Sequence, residues 1–134
     1  MKLSMAAELA VRGIIVLASR PAEKPTPLDE LCRLRKLPRD YMTRIFSLLS
    51  RAHLVTAVRG KGGGYQLARP ANEITLLEVI EAVEGPLAIN LCQHNPPQCQ
   101  EPNCRVRPVW EDLQKKIRSA LGSKTLDELV CDVQ

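Results

Sequence analysis

Three of the five cysteines lie in one proline-rich stretch, in an arrangement that suits metal binding. Cys92, Cys99 and Cys104 have the spacing C-x6-C-x4-C, and three prolines stand between the first and the last. Thiolates are soft ligands that suit zinc and iron–sulfur clusters. Because no C-x2-C pair is present, the spacing does not indicate a zinc knuckle or ribbon. The residues alone leave three interpretations open: a cluster held at three corners, a zinc site completed by His94, and unliganded thiols.

The other cysteines and the histidines offer no catalytic arrangement. Cys32 falls on the apolar face of a predicted helix and is expected in the core, while Cys131 near the C-terminus has no predicted role. Nothing orients His53 or His94 toward a thiol, as a catalytic base requires. The chain is therefore not expected to be an enzyme.

The stretch V-R-G-K-G-G-G-Y at residues 58–65 holds four glycines and two cations between two apolar runs. A tight hairpin turn needs only one or two glycines, so we interpret the others as allowing the backbone to approach a phosphate chain closely. Arg59 and Lys61 supply the charge, and Gly62 and Gly63 the close approach. A nucleotide-binding P-loop is disfavoured, because no Lys-Ser/Thr and helix follow the glycines.

A basic amphipathic helix is predicted over residues 38–52, just before this hairpin. At 100° intervals its apolar residues share one arc: Tyr41, Met42, Ile45, Phe46, Leu48, Leu49 and Ala52. The opposite arc is basic and carries hydroxyls. Arg39, Thr43 and Arg44 lie where a recognition helix meets base edges in the major groove. Ser47 and Arg51 lie farther along and are predicted to contact phosphate.

The elements that position these residues follow in a recognisable order. Ser4 is expected to cap a first helix ending near Ser19, and Thr26 to cap a second that begins at Pro27 and ends near Leu37. The basic helix and two short strands, 54–58 and 65–68, come next. Helix, turn, basic helix and glycine-tipped hairpin make the predicted fold class mainly α with a small β-hairpin wing, a winged helix-turn-helix.

The second half of the chain predicts a further long helix. Thr75 and Glu78 form a capping box for a fourth helix that Gly85 ends. After the cysteine stretch, apolar residues recur at helical spacing and form a stripe that we interpret as a dimerisation face: Val106, Trp110, Leu113, Ile117 and Leu121. The predicted division is a DNA-binding domain at 1–85, a cysteine loop at 86–105, and the dimerisation and C-terminal helices at 106–134.

Composition and charge narrow the class of partner. Residues 1–70 hold 13 Lys or Arg and 5 Asp or Glu, whereas residues 71–134 hold 6 and 10, so a basic half precedes an acidic one. Aromatic residues are only 3% of the chain, which disfavours a stacking platform for single-stranded nucleic acid. No long apolar run predicts a membrane span, and Glu8 and Arg12 interrupt the apolar N-terminus, so a cytoplasmic protein is expected.

Two stretches together resemble the signature of the Rrf2 family, bacterial winged-helix transcription regulators that include the IscR and NsrR types. They are R-G-K-G-G-G-Y-Q-L-A-R-P at 59–70 and I-T-L-L-E-V-I-E-A-V-E-G at 74–85. With M-K-L-S at the start, Tyr41 in the basic helix and the cysteine stretch, the resemblance covers nearly the whole chain. His53 departs from it, because members usually carry glycine before the first wing strand.

The resemblance implies a homodimer that binds a palindromic DNA operator, with Tyr41 among the residues at the DNA. It also implies an iron–sulfur cluster, 2Fe–2S or 4Fe–4S, on Cys92, Cys99 and Cys104, through which the regulator senses nitric oxide, redox state or iron–sulfur status. Whether it represses or activates stays open. The alternative is a zinc-bound or metal-free winged-helix regulator controlled by a protein partner, as in family members without clusters.

The fourth cluster ligand is a separate question. The IscR type has a histidine three residues after the third cysteine, where this chain has Arg107. The NsrR type instead uses an acidic residue on the first helix of the partner subunit, and Glu8 stands at the matching place. The competing role for Glu8 is an i, i+4 ion pair with Arg12, and His94 is the competing ligand.

Overall fold

The computed structural model describes residues 2–130, so Cys131 lies outside the described residues. Six α-helices and one antiparallel hairpin make up this part of the chain, with short 3-10 turns at Ala71–Glu73 and Leu91–Gln93. In order, they are α1 Met5–Ala18, α2 Leu28–Arg35, α3 Arg39–Arg51, β1 Val55–Val58, β2 Gly64–Leu67, α4 Leu76–Glu84, α5 Arg107–Gly122 and α6 Leu126–Leu129. The predicted mainly α fold with a β-hairpin wing is confirmed.

Helix α1 forms the centre of the core. The Ser4 hydroxyl accepts a hydrogen bond from the Ala7 N–H at 3.1 Å, which confirms the predicted cap. Gly13 allows α3 to pack closely, since a Cβ there would lie 2.7 Å from Met42 Cε and 2.9 Å from Phe46 Cε2. The first and third helices of the DNA-binding unit are therefore held in close contact.

The predicted start of α2 is wrong by one residue. Pro27 occupies the N-cap position, and Thr26 makes no cap. Thr26 is instead buried, and its N–H and C=O both pair with the backbone of Tyr65 at 2.9 Å. Pairing with the wing fixes an extended backbone at Thr26, so it is part of the sheet edge and not of the helix.

Helix α3 has the predicted amphipathic pattern with two exceptions, Tyr41 and Ala52, which are exposed. Met42, Ile45, Phe46 and Leu49 are buried, whereas Tyr41, expected in the apolar arc, is 38% exposed. The exposed tyrosine lies at the edge of the arc. Its position next to the basic face keeps it available for the DNA contact that the resemblance implies.

The hairpin is attached to this helix by an aromatic contact. Val55 pairs with Leu67 and Val58 with Gly64 in the antiparallel register. The Phe46 and Tyr65 rings lie 4.9 Å apart between centroids. His53, just before β1, has a φ of 60°, which is the left-handed conformation that glycine adopts most easily.

The C-terminal elements return to the same core. The Thr75–Glu78 capping box is present, with the Thr75 N–H donating to Glu78 Oε1 at 3.1 Å. Leu126 of α6 is fully buried, and its N–H donates to the Ile74 carbonyl at 3.0 Å. By contrast, no residue of α5 is fully buried: Trp110, Leu113, Ile117 and Leu121 of its apolar stripe are half-buried, and Val106 is exposed.

Candidate nucleic-acid interface and cysteine loop

The exposed face of α3 presents the predicted contact residues. Arg39, Thr43, Arg44 and Ser47 are all exposed. The Arg39 guanidinium donates to the Asp29 carboxylate and, at 2.5 Å, to the Thr43 hydroxyl. The hydrogen bond with Asp29 raises the pKa of Arg39. Arg39 is therefore a permanent cation whose direction is fixed before any ligand arrives.

A groove joins this face to the wing. Its volume is about 460 Å³, and it runs from Asp29 and Arg39 past Thr43 to Arg59 and Gly63. One side of the groove is thus the N-terminal part of α3, and the other is the base of the hairpin loop. Residues predicted separately from a helix and from a loop share one concave surface.

The wing loop uses its glycines differently from the sequence interpretation. Gly60 and Gly62 have φ angles of 94° and 79°, which side chains rarely adopt. A Cβ at Gly63 would overlap the Val58 carbonyl oxygen, and one at Gly64 would overlap the Thr26 carbonyl. All four glycines are required by the loop itself, so the expectation that a hairpin leaves surplus glycines is wrong. Contact of Gly62 and Gly63 with DNA stays a prediction.

The two wing cations have no ion-pair partner among residues 2–130. Arg59 and Lys61 are exposed, and within residues 2–130 neither forms an ion pair. Long cationic side chains without a carboxylate partner are available for phosphate. The charge of the loop therefore points outward.

The three cysteines of the loop are free and half-buried. Cys92 lies in the Leu91–Gln93 turn, where the Gln93 amide donates to its sulfur at 3.3 Å. Cys99 and Cys104 follow in irregular backbone before α5. In residues 2–130, no group of three or more His, Cys, Asp or Glu side chains is arranged to hold a metal ion. Three thiols are chemically suited to an iron–sulfur cluster, but in this protomer they do not converge on one point.

Cys32 and Glu8 occupy different settings. Cys32 is buried in the core, as predicted, and burial raises the pKa of its thiol. Glu8 lies on α1 with its side chain 44% exposed and pairs with Arg12 at 3.0 Å. The alternative i, i+4 pair is therefore formed within the protomer, and the role of Glu8 as a ligand for a partner subunit stays a prediction. His94 is exposed next to Cys92's turn.

The start of the cysteine loop is anchored to α4 and α5. Glu81 Oε2 accepts from the Leu87 N–H at 2.7 Å and from Arg118 at 2.9 Å. The Gln114 side chain accepts from the Ile89 N–H at 3.0 Å. Two helices thus fix the backbone just ahead of the first cysteine.

Sequence reasoning missed a row of carboxylates on α4. Glu78 pairs with Arg69 at the end of the wing, Glu81 holds the cysteine loop, and Glu84 Oε1 accepts from the Ser4 N–H at 3.0 Å. The i, i+3, i+6 spacing in L-L-E-V-I-E-A-V-E was the available signal, but it does not show that each glutamate holds a different element.

A helix-turn-helix with an exposed basic recognition helix and a cationic hairpin defines a winged-helix DNA-binding protein. Within residues 2–130, no helix is long and apolar enough to cross a membrane.

The family follows from comparison with known proteins. The model of the Rrf2 family, described as iron-dependent transcriptional regulators, matches residues 3–132. IscR of Xenorhabdus nematophila is 35% identical over 130 residues, and IscR of Pectobacterium atrosepticum is 36% identical over 131. Each match covers 97% of this chain and 79% of the relative. This chain belongs to the Rrf2 family, whose members are transcriptional regulators and not enzymes.

Solved structures agree with this assignment. CymR, the global cysteine regulator of B. subtilis, superimposes with a TM-score of 0.81 at 27% identity, covering 96% of this chain and 95% of that one. T. potens IscR gives a TM-score of 0.79 at 28% identity, covering 96% and 85%. The fold is therefore shared with regulators of both names.

Proposed function

We propose that this protein is a cytoplasmic, homodimeric transcription regulator whose affinity for a palindromic operator depends on an iron–sulfur cluster. The observation that carries the proposal is the single loop with three free, half-buried cysteines, anchored to α4 and α5 beside the DNA-binding unit. The similarity to IscR proteins over nearly the whole chain supports it.

In this proposal Cys92, Cys99 and Cys104 hold the cluster, and the partner subunit's Glu8 supplies the fourth ligand. When bound, the cluster supplies reactivity toward nitric oxide, oxygen and electrons. A carboxylate is a harder ligand than a thiolate, so it leaves the most exchangeable position. In this role Glu8 exchanges its ion pair with Arg12 for the metal.

The DNA surface consists of α3 and the wing. Arg39, Thr43 and Arg44 read base edges, Tyr41 and Ser47 contact the backbone, and Arg59 and Lys61 hold phosphates with Gly62 and Gly63. A change at the cysteine loop reaches the wing through α4. Two glutamates of this helix make the connection: Glu81 binds the start of the cysteine loop, and Glu78 pairs with Arg69 at the end of the wing. The affinity for the operator then changes, because the two wing positions differ in how well they bind DNA.

Anaerobic purification with iron and acid-labile sulfide analysis tests the cluster. We expect a brown protein that contains both, and loss of both in Cys99→Ser. The matched control is Cys32→Ala, which removes a core cysteine and is expected to retain iron. Glu8→Ala is expected to keep the three cysteines' iron but to change the visible spectrum and the rate of reaction with nitric oxide. A Glu8→Ala protein with unchanged spectrum and rate would remove Glu8 from the ligand set.

The second candidate is a regulator without a cluster, controlled by a protein partner. It is favoured by the absence of a convergent metal-binding group in the described residues and by the likeness to CymR. A colourless protein without iron would exclude the cluster and favour this candidate, and one equivalent of zinc would assign the cysteines to a zinc site.

A further inference from the structure

A cavity of about 390 Å³ lies beside strand β2 of the wing. It opens between the connection from α1 to α2 and the segment from β2 to the Pro70 turn. Most of its wall is apolar, with Leu17, Leu67 and Pro70 among the lining residues. Pockets for small molecules in proteins have volumes of about 300–1,000 Å³ and mostly apolar walls with a few polar groups.

The charged groups of this cavity are cationic. Arg20, Lys24 and Arg69 line it, and no aspartate or glutamate does. Arg20 pairs with Glu30 at 2.9 Å and Arg69 pairs with Glu78, both of which lie outside the lining. Lys24 forms no ion pair with any described residue. The cavity therefore carries excess positive charge against an apolar wall.

One donor at this cavity lacks an acceptor. Arg20 Nε is buried and has no hydrogen-bond partner in the described part of the chain. The guanidinium donates through Nη2 to Glu30, so it does not turn freely to bring Nε to an acceptor. An unsatisfied buried donor costs about 1–3 kcal/mol. Nε itself is buried, so Arg20 offers the cavity a positive charge held in place by Glu30 and not this hydrogen bond.

We propose that this cavity binds a small organic carboxylate with an apolar body about the size of benzoate. The carboxylate is attracted by Lys24 and by the positive charge of Arg20, while the apolar body lies on Leu17 and Leu67. A nucleic-acid phosphate fits less well, because it would leave the apolar wall uncovered.

The site is placed to act on the wing. Gln66 of β2 lines the cavity, and its side-chain amide donates to the Ala22 carbonyl at 3.1 Å. The ligand therefore occupies the joint between the wing strand and the α1–α2 connection. Binding stabilises one wing position and changes DNA affinity, so the carboxylate is an effector independent of the cysteines.

The test uses nuclear magnetic resonance of the full ¹⁵N-labelled chain with benzoate, benzamide and inorganic phosphate as probes. We expect benzoate to shift the Arg20 Nε–H and Gln66 amide resonances saturably. Benzamide lacks the charge and phosphate lacks the apolar body, so each is expected to bind at least about tenfold more weakly, a difference of about 1.4 kcal/mol. No saturable shift with benzoate, or equal binding of phosphate as an adventitious ion only, would overturn the proposal.

A surface variant keeps the test independent of folding. Lys24→Gln leaves the Arg20–Glu30 pair intact and is expected to weaken benzoate binding several-fold. Lys115→Gln on α5 is the matched control and is expected to leave it unchanged. Equal affinity in the two variants would contradict the proposed charge contact. Because the readout involves no cysteine and no DNA, its failure is distinguishable from failure of the cluster proposal.

Discussion

Arg39 and Arg59 line the same groove but are held in different ways. The Arg39 guanidinium is held by Asp29 and Thr43. To bind a base or a phosphate, it must therefore give up its ion pair with Asp29. Arg59 forms no ion pair among the described residues and is exposed on the wing. In our proposal the first suits directional readout of a base, and the second suits phosphate attraction.

We predict that Arg59→Ala weakens DNA binding uniformly across sequences. The slope of log affinity against log salt is negative, and losing one phosphate contact should reduce its magnitude by about 0.9. Fluorescence anisotropy over a salt series measures both quantities. Lys115→Ala is the control, because this exposed cation lies on α5, away from the proposed DNA surface. The same slope in wild type and Arg59→Ala would exclude the wing cation from the interface.

At the scale of elements, the wing is built into the DNA-binding unit through its backbone. Gly64 has a φ of 151° and lies against the Thr26 backbone, which pairs with Tyr65. Tyr65 in turn contacts Phe46 of α3. The loop position therefore depends on a segment ahead of α2 and not on the hairpin alone.

Gly64→Ala is predicted to destabilise the protein by more than about 1 kcal/mol, because it adds both a disfavoured φ and a steric overlap. The matched control is Gly122→Ala at the end of α5, where the nearest atom to the added methyl is Leu77 Cδ2 at 3.7 Å. That change should be neutral or stabilising. Chemical denaturation measures both, and equal free energies of unfolding would refute the packing argument.

The stability of the protein is predicted to depend on pH through Glu78, the glutamate of the α4 capping box. Burial raises the pKa of Glu78, but hydrogen bonds from Arg69 and the Thr75 backbone outweigh burial, and the net pKa is lowered. A lowered pKa in the folded state adds stability above the unfolded value of about 4.3, and this is lost as pH falls through the folded value.

Glu78→Gln keeps an amide that can serve the capping box but removes the charge beside Arg69. We predict that its stability deficit against wild type is largest near neutral pH and shrinks as the solution is acidified below about pH 4. Urea unfolding at several pH values measures this, with Glu73→Gln at an exposed position as the control. A deficit that is constant with pH would show that charge at Glu78 contributes nothing.

For the whole molecule, the exposed apolar residues at the start of α5 are the main sign of assembly. Val109 is 57% exposed and Val106 is 43% exposed, near half-buried Trp110 and Leu113. We propose that the same helix of a second copy covers this face, as the predicted dimer requires.

Val109→Glu is predicted to convert the dimer to a monomer, because a charge would be placed in the covered face without disturbing the protomer core. Light scattering after size exclusion measures the mass. Lys115→Glu places a carboxylate about 120° around α5 from Val109 and should leave the dimer intact. A dimeric Val109→Glu protein would place the interface elsewhere.

The amino-acid sequence by itself determined most helices, the amphipathic face of α3, the capping box of α4 and the hairpin. Each depends on residues within one or two turns of one another, so spacing and residue type suffice. The resemblance to the Rrf2 family also came from contiguous stretches, and the comparison confirmed it.

Only the tertiary structure decided which distant groups meet. It paired Thr26 with Tyr65, gave the wing glycines structural roles, assigned a different partner to each glutamate of α4, and left Arg20 Nε without an acceptor. These contacts join positions that are far apart along the chain. Their geometry follows from how the core packs, because local propensity carries no information about which side chain from another element fills the neighbouring space.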